Sequence, residues 1–279
     1  MFIWIKQKNK KGKKLKKILL SGVVLSSLVM AAEPDLKKDD LLKTHTEFGY
    51  IETQGNTRTQ TFNLESKVKK GWGKHIANLL FDGQYASDKN EEIKNKYLLE
   101  LEYDYEFTDT LAFSYLVGYK QDRFSGYDYQ FYTGPGAKYK AIKTDKHNLS
   151  LEGNILYSSD EIEDTKYTQN GQIIKYPNPD NLTTARTEKG YTDDYAAARA
   201  KLVYEWKILE NLKFDQELSY RCDLGDIDTY FAFSKTALST KFTDIFSAGV
   251  SYKVDYANNP ATGKEYADRT FTANLIIDY

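Results

Sequence analysis

Cysteine, methionine, histidine and proline are all scarce in this chain. Its 279 residues include one cysteine, two methionines, three histidines and five prolines. Because Cys222 is the only cysteine, an intramolecular disulfide is excluded. Long apolar runs are missing after residue 32, whereas a helix that spans a bilayer needs about 20 apolar residues. The sequence therefore predicts neither a disulfide framework nor a helical membrane span beyond that point.

The first 32 residues have the pattern of a cleavable secretory signal peptide. A lysine-rich stretch over residues 6–17 precedes an apolar stretch over 18–30, and the small residues Ala31 and Ala32 follow. Removal of residues 1–31 takes away eight lysines and no acids, which leaves 31 basic and 40 acidic residues, a formal charge of −9. An acidic exported chain does not favour nucleic acid as a partner, since phosphate binding needs clustered Lys and Arg.

The rest of the chain alternates between apolar and polar residues, as β-strands do. In the clearest segment Tyr97, Leu99 and Leu101 share one face, and Glu100 and Glu102 share the other. Most segments are at least as long as a tilted strand that crosses a bilayer, about 9 to 11 residues. In 229–241 apolar residues fall on both faces of the strand, and we expect a β-bulge there. The twelve predicted strands are 43–53, 58–69, 75–85, 96–107, 111–120, 129–140, 148–157, 195–206, 212–222, 229–241, 245–256 and 268–279.

The connections between these strands differ in length on two sides. Every second connection is a short turn, whereas 158–194 and 257–266 are long. Short periplasmic turns and long extracellular loops are typical of outer-membrane barrels. The last strand ends in Tyr279 and resembles the signal that such barrels present to their assembly machinery. We therefore predict an all-β, closed antiparallel transmembrane barrel of about 12 strands over 42–279, in the bacterial outer membrane, with a long extracellular loop at about 158–194.

Aromatic residues on the apolar faces fall at the strand ends, where the two membrane interfaces are expected. A soluble β-sandwich would also alternate, but nothing in it requires this sorting of aromatics by depth. The lipid and lipopolysaccharide of the outer membrane are the expected surroundings. The predicted interface aromatics are Tyr97, Tyr119, Tyr157, Tyr220 and Tyr256 at the outer ends, and Phe107, Tyr139, Trp206 and Tyr279 at the inner ends.

The opposite faces are rich in charge of both signs and are predicted to line the barrel lumen. These side chains could set ion selectivity in a water-filled pore, or they could pair and make the barrel rigid. We expect the acids of strand 96–107 to pair with Lys120, Lys138 and Lys140. The lumen-facing candidates are Glu100, Glu102, Asp104, Glu106, Lys120, Lys138, Lys140, Glu152, Arg199, Lys201, Glu217 and Arg221.

Several short motifs add a family resemblance over residues 42–279. They are Gly55-Asn56-Thr57, the run from Phe131 to Gly136 with Tyr139, Thr236-Ala237-Leu238, and Ser251-Tyr252. With these motifs the chain resembles the salt-induced outer-membrane protein family, a group of domains of unknown function. The resemblance implies an outer-membrane barrel with a link to salt or osmotic conditions, and it brings no catalytic residues.

Three functions remain open at this point. The first is a narrow passive channel or envelope component for ions or small solutes, because twelve strands fall between small filled barrels and wide porins. The second is a structural or surface-binding barrel with a plugged lumen. The third is a lipid-modifying enzyme, which we do not expect, because His45, His75 and His147 align with no Ser and acid on one outward face.

No cofactor or metal is predicted. Two groups of acids lie in predicted loops, where Ca²⁺ takes oxygen ligands, but neither has a complete calcium-binding pattern. We expect both groups to be solvated. They are Asp160, Glu161, Glu163 and Asp164, and Asp223, Asp226 and Asp228.

Overall fold

A computed structural model describes residues 42–53, 59–89, 91–176, 178 and 180–279. The predicted signal peptide, 1–32, lies outside the described residues, as does the Gly55-Asn56-Thr57 motif. Within those ranges no helix is long and apolar enough to cross a membrane. The strands are β1 (Leu42–Thr53), β2 (Thr59–Trp72), β3 (His75–Asp88), β4 (Glu91–Glu106), β5 (Leu111–Asp122), β6 (Tyr127–Lys143), β7 (His147–Ile162), β8 (Thr165–Tyr167), β9 (Arg186–Glu188), β10 (Thr192–Lys207), β11 (Leu212–Asp223), β12 (Tyr230–Lys241), β13 (Phe246–Ala257) and β14 (Ala267–Asp278).

Twelve of these strands form one closed barrel, in the order β1-β14-β13-β12-β11-β10-β7-β6-β5-β4-β3-β2. Every neighbouring pair is antiparallel, and the first and last strands close the sheet. At this seam the Tyr279 carbonyl accepts a hydrogen bond from the Thr44 amide at 2.5 Å, and the Tyr279 amide donates to the Thr44 carbonyl at 2.9 Å. The pairing at the seam runs from His45 opposite Asp278 to Phe48 opposite Leu275 and joins the two edge strands of the sheet. The prediction of a closed twelve-stranded antiparallel barrel is confirmed.

The two ends of the barrel differ in their connections. At one end, the short-turn end, the described strands are joined by turns such as 73–74 and 144–146. At the other, the long-loop end, the connections include 123–126, 258–266 and the long loop 163–191, in which β8 and β9 form a separate two-stranded sheet. The long loop is shorter than the 158–194 expected. Polar residues on both faces of 158–161 end the alternation, but the backbone pairing of β7 with β10 continues, with Thr192 opposite Glu161.

The bulge expected in 229–241 is wrong. Strand β12 pairs with β11 and β13 without any shift of register. Two aromatic residues, Phe231 and Phe233, share the lumen face of β12 with Lys235, although polar residues are expected on that face. Ala232 and Ser234 pair with the exposed residues Tyr220 and Leu218 of β11 on the outer wall. Register shifts occur instead in other pairs, for example between Ala86 and Ser87 in the pair of β3 with β4.

The outer surface of the barrel is apolar between two aromatic bands. Leu101, Ile155 and Leu275 are among the large apolar side chains exposed on it. At the long-loop end the Tyr97 and Tyr119 rings stack with centroids 6.1 Å apart. At the short-turn end Trp206 stacks on His147 at 5.9 Å. Further predicted interface aromatics exposed on the surface are Phe107, Tyr139, Tyr157, Tyr220 and Tyr279, and Tyr256 lies in contact with Tyr230 and Tyr266.

Candidate functional site in the barrel lumen

The lumen contains two cavities that meet in its middle. The upper cavity lies toward the long-loop end and has a volume of about 390 Å³. The lower cavity lies toward the short-turn end and has a volume of about 860 Å³. Five side chains line both cavities and form what we call the mid-lumen layer: Lys67, Leu80, Glu100, Glu217 and Lys235. All five belong to barrel strands, so wall side chains separate the two cavities at this level.

Just above the mid-lumen layer, Glu65 of β2 binds three lysines. Its carboxylate accepts hydrogen bonds from Lys235 of β12 at 2.8 Å and Lys253 of β13 at 2.7 Å, and Lys67 lies 3.1 Å away. Lys235 also donates to Glu47 of β1 at 2.6 Å. Only 6% of the Glu65 side chain is exposed, so this charge depends on its lysines for compensation. The network ties strands together that are not neighbours in the sheet.

Asp255 of β13 forms a second connection across the lumen. Its carboxylate receives a hydrogen bond from Lys96 of β4 at 2.5 Å and lies 3.5 Å from the ammonium of Lys120 of β5. Strand β13 lies opposite β5 in the circular order of strands. These two lysines therefore reach across the upper cavity and narrow it.

Ion pairs in the lower cavity remain close to the wall. Lys138 of β6 binds both Glu102 and Asp104 of β4, the latter at 2.8 Å, and Lys140 binds Glu106 at 2.5 Å. These contacts agree with the pairing expected for Lys138 and Lys140. The expected pairing of Lys120 with the same acidic row is wrong, because its ammonium lies against Asp255 on the opposite wall.

Glu100, the remaining acid of that row, is bound mainly by a tyrosine. The Tyr132 hydroxyl donates to its carboxylate at 2.5 Å, and Arg199 lies 3.8 Å away. The Tyr132 ring packs over Gly118 so closely that a Cβ added there would clash with it. An inward-facing apolar cluster surrounds the ring: Leu116, Leu156 and Ala197, with Leu98 and Tyr195 packed against it.

The long loop 163–191 extends over the mouth of the upper cavity. Tyr176 lines the cavity, and its ring lies 5.5 Å from that of Phe124 in the turn 123–126. In the same turn Gly126 has a φ of +83° and approaches the loop 258–266 so closely that an added Cβ would lie 2.5 Å from the Cβ of Ala261. Burial in this mouth lowers the pKa of Lys264. Three connections thus meet over the upper cavity.

The acids predicted to lie in loops are separated by the structure. Asp160 faces the lumen on β7, where Gln130 and Tyr195 donate to it at 3.0 and 2.9 Å. In the long loop, hydrogen bonds from the Lys189 ammonium and the Gly190 amide lower the pKa of Asp164. Asp223 accepts a hydrogen bond from the Gly225 amide at 2.7 Å. Within the described ranges, no three His, Cys, Asp or Glu side chains are arranged to bind a metal ion.

The three histidines bind groups other than serine in the part of the chain that the structure describes. His75 contacts the Tyr103 hydroxyl at 2.6 Å and His147 that of Tyr204 at 2.8 Å, both on the outer wall. His45 contacts Asp278 at 2.7 Å and Glu47 at 3.2 Å on the lumen side. None of these described contacts places a serine or threonine hydroxyl next to a histidine ring.

All twelve predicted lumen residues line the two cavities. Lys96, Lys253 and Asp255 were missed by the sequence analysis, although Lys253 and Asp255 alternate with outward residues as lumen residues do. Tyr132 was missed because lumen residues were picked as polar residues, and an aromatic ring does not fit that pattern. Whether the twelve residues select ions stays a prediction.

The strand order, the apolar outer surface and the charged interior define the class: a closed antiparallel β-barrel with a polar lumen. The chain belongs to the family described as "Protein of unknown function, DUF481", whose model matches residues 46–279. This match agrees with the resemblance to a group of domains of unknown function. It does not test whether that group is the salt-induced outer-membrane protein family. No curated protein matches the chain.

Three solved structures are similar to this chain at low identity. The NanC porin is 12% identical, with 85% of this chain and 98% of that chain covered and a TM-score of 0.42. The translocator domain of the autotransporter NalP from Neisseria meningitidis is 11% identical, with 85% and 86% covered and a TM-score of 0.41. The outer membrane protease OmpT from Escherichia coli is 9% identical, with 87% and 97% covered and a TM-score of 0.39. A shared fold does not give this chain a function.

Proposed function

We propose that this chain is an outer-membrane barrel through which ions and small hydrophilic solutes pass, limited by the mid-lumen layer. The observation that carries the proposal is the pair of cavities, of about 390 and 860 Å³, that meet at five wall side chains. Side chains change rotamer far faster than a folded plug leaves a lumen. A barrier made of wall side chains therefore favours a narrow path for solutes over a lumen closed by a folded plug.

The outer-membrane location is supported by the exposed apolar band and its aromatic ends. Large apolar areas are rarely left open to water on soluble monomers. A closed barrel satisfies the backbone of every strand within lipid, and the charged lumen suits water. Lipid and lipopolysaccharide around the wall, and recognition of β14 by the barrel-assembly machinery, belong to the same proposal. The link to salt or osmotic stress stays a prediction.

Single-channel conductance in a planar bilayer tests the proposed passage. We expect small, stable steps from the refolded mature chain, and larger steps from Leu80→Ala, which removes apolar volume from the mid-lumen layer without altering charge. Leu101→Ala is the matched control, because Leu101 is exposed on the outer wall and lines neither of the two cavities. Replacement of 167–187 by a short Gly-Ser linker should also enlarge the steps, because Tyr176 is then lost from the mouth.

A closed structural barrel is the second candidate, and the ion pairs that cross the lumen favour it. If the mature chain, Leu80→Ala and the loop deletion are all silent in bilayers, the proposed passage is wrong and the closed barrel is supported. Equal step sizes for Leu80→Ala and Leu101→Ala, with conductance intact, would instead place the limiting point outside the mid-lumen layer. No catalysis is proposed.

A further inference from the structure

The upper cavity contains an arginine whose guanidinium is buried but poorly matched. Arg221 of β11 lines this cavity and is 8% exposed. Its nearest acid is Asp160, with 3.9 Å between Nη2 and Oδ2, which is too long for a hydrogen bond. Its Nη1 is buried and has no hydrogen-bond partner among the described residues. A buried charged donor without an acceptor is costly, so this group favours an incoming anion.

Arg199, one strand away, gives the contrast. It is equally buried, but it donates to Glu152 at 3.1 Å, Asn154 at 3.2 Å and Ser219 at 3.4 Å. Its hydrogen bonds to these neighbours are therefore made within the wall. Asp160, by comparison, accepts hydrogen bonds from Gln130 and Tyr195 through Oδ2 and makes none to Arg221, and its buried Oδ1 has no hydrogen-bond partner among the described residues. Arg221 thus differs from Arg199 in unused donors rather than in depth.

Aromatic rings hold the Arg221 guanidinium in place. Its carbon Cζ lies 4.8 Å from the centre of the Tyr132 ring and 4.7 Å from that of Phe231. The Phe231 ring also meets that of Tyr127 at 6.2 Å, from a strand on the other side of the lumen. Such stacking fixes the plane of a guanidinium and leaves its edge available, which is the edge that binds a carboxylate with two parallel hydrogen bonds.

Aromatic side chains form part of the wall of the upper cavity, beside its lysines and acids, and offer contacts to a flat apolar body. Phe124, Tyr127, Tyr176 and Phe231 all line the cavity, above the charged mid-lumen layer. Its volume of about 390 Å³ lies in the range of small-molecule sites, which combine apolar walls with a few placed polar groups. We propose that the upper cavity binds a small organic carboxylate with a ring, its carboxylate on Arg221 and its ring against these aromatic side chains.

Titratable groups surround Arg221 and decide from which side a carboxylate can approach it. The nearest carboxylate to Arg221 is that of Asp160, and the hydroxyls of Tyr127, Tyr132 and Tyr195 also lie near its charge. Tyr132 is engaged with Glu100 and Tyr195 with Asp160. A carboxylate on Arg221 must therefore approach from the open side of the cavity, away from Asp160.

The test is equilibrium binding of benzoate to the refolded full mature chain in detergent, measured by isothermal titration calorimetry. We expect benzoate to bind at least tenfold more tightly than benzamide, which has the same shape without the charge, and than acetate, which has the charge without the ring. Arg221→Gln should remove the preference for benzoate over benzamide, and Arg221→Lys should retain part of it. The folded state of each variant is checked by its resistance to SDS before heating.

Arg186→Gln is the matched control, because Arg186 also lies over a tyrosine ring, Tyr167 at 4.3 Å, but in the exposed β8–β9 sheet. Its benzoate affinity should equal that of the parent chain. Equal affinities for benzoate and benzamide, or an unchanged preference in folded Arg221→Gln, would overturn the proposal. The inference rests on the proposed passage only for the route of entry: a conducting barrel that ignores benzoate refutes this site alone, and a silent barrel that binds it refutes the passage alone.

Discussion

The two halves of the lumen use the same charged residue types in different ways. Below the mid-lumen layer, lysines of the lower cavity bind acids on the same or nearby strands, as Lys138 does with Asp104. In the upper half, lysines bind across the lumen, as Lys96 does with Asp255. A pair along the wall leaves the centre open, whereas a pair across it fills the centre. The difference agrees with the cavity volumes, about 860 Å³ below and about 390 Å³ above.

Burial divides the ion pairs of the lumen into two groups that contribute differently to stability. A partly exposed ion pair contributes little to stability, because water and salt screen it. A buried pair is costly to desolvate and costly to break, since the remaining charge is left without compensation. The buried pairs, above all those of Glu65, should therefore limit how far the barrel tolerates substitution, and exposed pairs such as Lys213–Asp215 should not.

The largest expected effect follows from removal of the Glu65 charge. Glu65→Gln leaves Lys67, Lys235 and Lys253 without their shared carboxylate, and we expect a loss of about 3–5 kcal/mol in the free energy of unfolding. The measurement is urea unfolding of the barrel in lipid vesicles. Asp215→Asn is the control in the lower half, since the Lys213–Asp215 pair is 38% and 31% exposed at 2.9 Å, and it should cost less than about 1 kcal/mol. Equal losses would show that burial does not set the cost of losing a lumen ion pair.

A smaller effect on stability is expected at Glu100, whose partner is a tyrosine rather than a lysine. Tyr132→Phe removes the hydroxyl that donates to Glu100 at 2.5 Å and keeps the ring over Gly118. A hydrogen bond to a charged group contributes about 1.5–3 kcal/mol, so the urea midpoint should fall accordingly. Tyr157→Phe is the control, because its hydroxyl binds Asp194 at 2.9 Å on the exposed surface, and its midpoint should not move. If both variants behave alike, burial does not govern these bonds.

The strand pattern was predictable from the sequence because each strand has one face toward the apolar outside and the other toward the polar lumen. Strand β4 alternates cleanly, and its acids line the lower cavity as expected. Strand β12 could not be assigned in this way, since Phe231 and Phe233 line the lumen and period two alone cannot tell an inward aromatic from an outward one. The partner of Lys120 could not be predicted either. Asp255 is distant in sequence, and which charges meet across a barrel depends on closure and stagger.

The smallest expected effect concerns the mouth above the upper cavity. Alanine at Gly126 must adopt a φ near +83° and would contact Ala261, so the turn 123–126 and the loop 258–266 should separate. We expect trypsin to cleave after Lys264 several times faster in Gly126→Ala, with a change of about 1 kcal/mol in the free energy of unfolding. Gly171→Ala carries the same backbone strain, φ +80°, but has nothing within 4 Å, and cleavage after Lys264 should be unchanged. Faster cleavage in both variants would show that strain, rather than contact between loops, protects the mouth.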